Sequence, residues 1–183
     1  MVSVLCDQSF FDGALQHLKQ AREHCELPLL CKDFVIDEVQ LDAARAWGAD
    51  AVLLIVRCVS ADRLHALWGS AVERDLVPLV EVTTEAEAEL AVGLGASLVG
   101  VNARDLDTLQ MDLDRAARVL ASLPAGVTAV HLSGVSSPGQ VAEVARSRTD
   151  AVLVGEALMR QDDPEPLLSQ LVDAAKAGPS PPP

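Results

Sequence analysis

Tyrosine is absent from this chain, and two tryptophans and three phenylalanines are its whole aromatic content. The core must therefore be aliphatic, and with 50% of the residues hydrophobic there is ample material for one. A bias toward alanine, valine and leucine suits parallel strands buried on both faces. Basic residues are also few: 14 lysines and arginines stand against 27 acidic residues, a formal net charge of -13. So negative a surface repels polyphosphate, which argues against nucleic acid and anionic membrane as partners. A small anionic substrate would be repelled at long range too, so a few local donors would have to hold it.

Metal-binding spacing is missing as well. Cys6, Cys25, Cys31 and Cys58 form no C-x-x-C pair and have no paired histidines to join them. No metal site is expected, and the thiols read as reduced residues of a cytoplasmic protein. The opening Met1-Val2-Ser3-Val4-Leu5 lacks the basic flank and long apolar stretch of a signal peptide. No apolar run approaches the length of a membrane span. The closing stretch 178–183 reads as a flexible, proline-rich tail after a single domain over 1–177.

What is present is a repeated alternation of strand and helix. Short apolar runs at 2–6, 28–31, 51–56, 77–82, 98–102, 127–132 and 151–154 read as strands. Between them, apolar residues at helical spacing predict helices over 10–25, 37–47, 61–74, 85–94, 112–122 and 137–146. A turn at 156–159 and a last helix over about 164–177 close the chain. Ser60, Thr84 and Ser137 stand where N-caps belong, and Gly48 and Gly95 where helices stop. The stretches 48–54, 95–100 and 148–154 echo one another as helix stop, turn and buried strand. The pattern is an α/β chain of about seven βα units, ~25 residues each, of the (β/α)8 TIM-barrel type. A closed barrel of this kind has eight strands and about 250 residues, so the expectation is an incomplete or open barrel.

In such folds ligands bind at the carboxyl ends of the strands. Lys32 ends the second strand, where a half-desolvated cation can act as an acid or hold an anion; it could equally snorkel outward. Glu81 sits inside Leu79-Val80-Glu81-Val82. A carboxylate in an apolar run costs several kcal/mol unless paired or protonated, so it is either a working group or a salt-bridge partner of Lys32 or Arg104. Asn102 ends the fifth strand, as a substrate contact or as the holder of the turn that follows. Ser133-Gly134 and Gly155-Glu156 follow the last two strands, where backbone N–H groups of a barrel commonly hold phosphate. Each glycine could also serve only its turn.

These residues bring a family into view. The chain resembles indole-3-glycerol-phosphate synthase through Ser3-Val4-Leu5, Phe10-Phe11-Asp12-Gly13 and Cys31-Lys32-Asp33-Phe34-Val35-Ile36-Asp37-Glu38. It continues through Gly48-Ala49-Asp50-Ala51-Val52-Leu53-Leu54, Leu79-Val80-Glu81-Val82 and Gly100-Val101-Asn102-Ala103-Arg104-Asp105-Leu106. The last stretch is Leu153-Val154-Gly155-Glu156-Ala157-Leu158-Met159. The family closes the pyrrole ring of 1-(2-carboxyphenylamino)-1-deoxyribulose 5-phosphate with loss of carbon dioxide and water, a step of tryptophan biosynthesis. The resemblance implies a carboxy-lyase acting on a small phosphorylated anion. Lys32 would then be the general acid at the substrate carbonyl, set against its carboxylate. Glu81 would be the acid/base partner in dehydration, and Asn102 would orient the substrate. Ser133, Gly134, Gly155 and Glu156 would hold the phosphate, mostly through backbone, with Arg104 beside them. No metal and no organic cofactor is implied.

Departures from the family pattern define the alternatives. The family's first strand brings a second catalytic lysine, a glutamate and a phosphate-binding serine loop, and nothing here matches it. Where the family has a glutamate before Ser-Gly, this chain has Leu132, and the family's Thr-Glu is Cys6-Asp7. Losing a general acid or a carboxylate lowers such a rate by about 10²–10⁴-fold each. An open barrel would leave sheet edges for a second copy or a partner to cover. The chain is thus a synthase of this family, a catalytically degenerate paralogue acting as a binding or partner subunit, or another phosphate-binding barrel isomerase. The last is weakened by the lack of that group's paired catalytic aspartates.

Overall fold

The computed structural model describes residues 1–105 and 108–177. The proline-rich tail, like Leu106 of the family motif, lies outside the described residues. These divide into two compact units, Met1–Val82 with Glu89–Leu98, and Thr83–Ala88 with the residues from Val99 on.

The first unit carries four parallel strands adjacent in chain order: β1 (Val2–Leu5), β2 (Leu29–Lys32), β3 (Ala51–Ile55) and β4 (Val77–Val82). Leu5 stands opposite Lys32, and Ile55 opposite Glu81. All five residues of β3 are buried, as a doubly covered strand requires. Helices α3 (Glu38–Ala46) and α4 (Ala61–Glu73) bury Leu41, Ala44, Leu64, Leu67 and Ala71. Their starts are dictated locally. Asp37 and Gln40 form a capping box, and the Ser60 hydroxyl accepts from the Arg63 amide at 3.3 Å. Gly48 stops α3 at φ +97, in the left-handed region where a side chain is strained.

The helix expected over 10–25 is two helices, α1 (Gln8–Phe11) and α2 (Gln16–His24). Asp7 caps the first, its carboxylate accepting from the Phe10 amide at 2.6 Å, and Asp12 ends it at φ 49. The chain then presses on the end of β1: a Cβ on Gly13 would lie 2.4 Å from the Leu5 carbonyl oxygen. Helical spacing spans this break because Asp12-Gly13 interrupts the backbone without disturbing the apolar period.

The second unit holds β5 from Val99 (the strand is Leu98–Val101), β6 (Thr128–His131) and β7 (Ala151–Val152), with β6 and β7 parallel. Helix α5 (Glu85–Gly93) begins at Thr84, whose hydroxyl accepts from the Glu87 amide at 3.2 Å. Helix α6 (Leu113–Ser122) buries Ala116, Val119 and Leu120. Helices α7 (Pro138–Val144) and α9 (Glu165–Lys176) bury Val141 and Leu171 with Val135, flanked by Val144, Val154 and Leu167. β7 is shorter than the expected 151–154. One more ladder bond, Leu153 N–H to the His131 carbonyl at 2.9 Å, follows it, and Val152 and Val154 both pack against the α7/α9 cluster.

The sequence echoes have a structural counterpart. Asp50 accepts from the Leu29 amide, and Asp150 from the Ala129 amide, each at 2.8 Å. Each aspartate's own N–H returns a 2.9 Å bond to the same residue's carbonyl. An arginine steadies each carboxylate, Arg22 at Asp50 and Arg148 at Asp150. The aspartate before a strand thereby fastens the amino end of the preceding one, so both strands begin level and their carboxyl ends stay aligned.

Candidate active site

In the first unit, Lys32 is the last residue of β2, and its carbonyl accepts from the Cys6 amide at 2.9 Å. The side chain is half-buried. Burial pushes the ammonium below its usual range, and the charge of Glu81 partly restores it. Glu81 itself is 2% exposed. Its charge also reaches Cys58, whose thiol is pushed up first by burial and then by that carboxylate. A lysine with a lowered pKa and a buried carboxylate within electrostatic reach are groups of the kind that can exchange protons with a ligand.

Sequence reasoning missed what lies under the lysine. Lys32 Nζ sits 4.4 Å from the centroid of the Phe11 ring. Phe11 stacks on Phe34 at 5.4 Å with planes 5° apart, and Phe10 tilts against Phe34 at 5.1 Å. Every phenylalanine of the chain is thus gathered beside one cation. The signal was there to read: in so aromatic-poor a sequence, all three flank the strand ends that carry Lys32 and Cys6.

In the second unit, Asn102 directly follows β5 and is 9% exposed. Its Oδ1 accepts from the Arg104 amide at 2.9 Å and from the Ser133 hydroxyl. The Arg104 amide also lies 3.3 Å from Ser133 Oγ. The Arg104 guanidinium pairs with Glu156 at 3.6 Å, and Glu156 is held by Arg160 at 2.8 Å. Glu156 opens the short helix α8 (Glu156–Met159), with Gly155 as its N-cap. Asn102, Arg104, Ser133 and Glu156 are thus linked by direct contacts. The turn-holding role expected of Asn102 is real, since its carbonyl closes the turn to Arg104.

The two glycines differ. Gly134 has φ +86, and a Cβ there would fall 2.5 Å from Met111 Cε. Around Gly155, at φ -126, space is open. Leu132 lies over Gly100, where a Cβ would meet its Cδ1 at 2.5 Å, so a branched apolar group stands directly before Ser133-Gly134. His131 on β6 is 4% exposed, its Nδ1 has no hydrogen-bond partner among the described residues, and burial pushes its pKa down.

Two cavities of the first unit, about 370 and 400 Å³, lie at the other rim. They are lined by residues before the strands or at their amino ends, such as Trp47 and Gly48, or Ser97 and Pro78, and by no candidate residue. The chemistry-bearing side chains are instead those at the carboxyl ends of their own strands, which is the reason to prefer them.

The family model of indole-3-glycerol phosphate synthase matches residues 1–171. The chain belongs to this family. The indole-3-glycerol phosphate synthase of a Polaromonas species is 45% identical over 170 residues, 93% of this chain and 64% of that protein. That of Polaromonas naphthalenivorans is 43% identical over 93% of this chain and 65% of its own length. Indole-3-glycerol phosphate synthase 1 of Streptomyces coelicolor is 43% identical over 96% and 65%. The chain therefore spans about 64% of the length of the Polaromonas relative. Among solved structures, 3-hexulose-6-phosphate synthase from Salmonella typhimurium superposes with a TM-score of 0.79 at 17% identity, over 95% of this chain and 86% of that one. That likeness concerns the fold alone: the chain is of the (β/α)8 TIM-barrel type, with seven βα units. Among the described residues no helix is long and apolar enough to cross a membrane.

Proposed function

We propose that the chain performs the reaction of its family, closing the pyrrole ring of 1-(2-carboxyphenylamino)-1-deoxyribulose 5-phosphate with loss of carbon dioxide and water. The observation that carries this reading is Lys32, a half-buried ammonium with a lowered pKa, within the field of buried Glu81 and over the face of Phe11. Ring closure forms a bond between the carboxylate-bearing aryl carbon and the ketone carbon. The ketone oxygen then needs a proton, which Lys32 donates. Decarboxylation restores the aromatic ring. Loss of the new hydroxyl as water needs an acid and a base in turn, the role of Glu81. Phe11 and Phe34 offer the aryl group an apolar face, and Asn102 orients the substrate. Arg104 and the backbone at Ser133-Gly134 and Gly155-Glu156 hold the phosphate. These are proton transfers, and they call on no metal or organic cofactor. A cytoplasmic setting, one domain over 1–177, and a second copy or partner along the sheet edge belong to the same proposal.

Incubating the chain with the substrate and following indole fluorescence tests it. Lys32→Met and Glu81→Gln should each abolish turnover with the far-UV spectrum unchanged, and full activity in either variant refutes the assignment. One observation favours a second reading, a degenerate paralogue that binds without turning over: Leu132 packed over Gly100. Leu132→Glu separates the two. On the first reading it raises an existing rate about tenfold or more; on the second, the parent chain binds a reduced substrate analogue and yields no indole.

A further inference from the structure

We propose that Gln40 is a positioning residue for the aromatic face beside Lys32, holding Phe34 in place through a hydrogen bond that helix capping does not require. This role deepens the proposed function and rests on it for the identity of the substrate.

Gln40 is the third residue of α3, and a capping box asks one thing of it: an acceptor for the Asp37 N–H, 3.1 Å from Oε1. The side chain does more. The same Oε1 accepts from the Ile36 N–H at 2.8 Å, and Nε2 donates to the Phe34 carbonyl at 3.0 Å. The two ends of the amide are told apart twice over, because a backbone N–H only donates and a backbone carbonyl only accepts. The rest of the loop is fastened as well. Asp33 Oδ1 accepts from the Phe34 N–H at 2.8 Å, and Arg63 Nε donates to the Ile36 carbonyl at 3.0 Å. Val35 between them is buried.

These bonds settle the direction of the Phe34 side chain. The peptide plane before Phe34 is held by Asp33 and the plane after it by Gln40, so the backbone leaves its Cα–Cβ bond one direction. That ring stacks on Phe11, and the Phe11 ring lies under Lys32 Nζ. Loss of the Gln40 donor frees the second plane, and the stack loses its backing without losing any of its rings. The aryl group of the substrate then meets a misplaced face rather than a missing one.

Gln40→Glu separates the two jobs. Glutamate keeps the acceptor oxygen and is the other residue that a capping box takes, but at neutral pH it has no hydrogen for the Phe34 carbonyl. The test compares Gln40→Glu, Gln40→Ala, Phe34→Leu and the double variant Gln40→Glu/Phe34→Leu in the full chain. Three readouts are taken: steady-state kinetics with the anthranilate-derived ribulose phosphate, urea unfolding, and the ¹H ring signals of the three phenylalanines in the ligand-free chain. Gln40→Glu should lower kcat/KM about tenfold. It should change the folding equilibrium constant by less than about fivefold, since a carboxylate near a helix N-terminus offsets part of the lost bond. The Phe11 and Phe34 ring signals should move toward those of an unstacked ring, while the backbone amide signals of Ile36 and Asp37 stay. Gln40→Ala should give the same ring shift and also lower the folding constant about tenfold, because both N–H groups lose their acceptor. In the Phe34→Leu background, Gln40→Glu should lower kcat/KM by less than about twofold further. Ring signals that ignore Gln40→Glu overturn the proposal, and so does a tenfold loss that persists without the Phe34 ring. If the parent chain yields no indole, the functional reading fails separately, and the ring signals alone decide the positioning role.

Discussion

Phe11→Leu removes the ring face beneath Lys32 while keeping an apolar side chain in its place. Nζ lies 4.4 Å from the ring centroid, inside the range where the ring quadrupole attracts a cation. Such a contact contributes about 0.5–1 kcal/mol when exposed and about 2 when desolvated. Burial already depresses the Lys32 pKa, so the desolvated end applies and about 1–2 kcal/mol is expected. Loss of the stack between Phe11 and Phe34 adds about 0.5–1.5 kcal/mol. A double-mutant cycle separates the two. Phe11→Leu and Lys32→Met, each alone and together, are unfolded in urea at neutral pH. The coupling energy should be about 1–2 kcal/mol, because methionine keeps the length of the lysine and loses its charge. Phe34→Leu, which removes the stacking partner but not the ring under Nζ, should couple to Lys32→Met far more weakly. Effects of Phe11→Leu and Lys32→Met that add to within about 0.3–0.5 kcal/mol would refute the contact.

The glycine pair after the last two strands should behave asymmetrically. Gly134→Ala, at φ +86 and against Met111, should cost about 1–3 kcal/mol in urea titrations, whereas Gly155→Ala, in open space at φ -126, should stay within about 0.5 kcal/mol. Acid stability should depend on His131. Burial lowers its folded pKa below the ordinary 6.5, so the unfolded chain takes the proton first as pH falls. Stability from this group is intact above pH 6.5 and declines below it, until the folded form also protonates. Urea midpoints at pH 7.5 and 5.5 should differ less in His131→Leu than in the parent, and an equal difference would show that another group is responsible.

The family and the fold class were legible in the residues because both rest on local patterns. Strands of branched aliphatics, caps at Ser60, Thr84 and Ser137, and glycine stops at positions 48 and 95 each follow from chemistry within a few positions of the chain. The break at Asp12-Gly13 was not legible. What ends α1 there is contact with the Leu5 backbone and a left-handed aspartate, neither of which alters the spacing of apolar residues.

Sequence alone determined that Lys32, Asn102 and the two glycine-bearing turns stand at strand ends, because a short apolar run that stops at a polar residue marks its own carboxyl terminus, and that Glu81 lies inside such a run one residue from its end. Tertiary structure decided what each of them touches. The phenylalanines meet beside Lys32 from positions 10, 11 and 34, and Asn102 meets Ser133 across 31 residues of chain. Contacts over such separations are set by strand register, and register depends on devices such as Asp50 and Asp150 that act between elements. A pKa follows the same rule: the residue type supplies the ordinary value, and only the neighbours brought by folding move it.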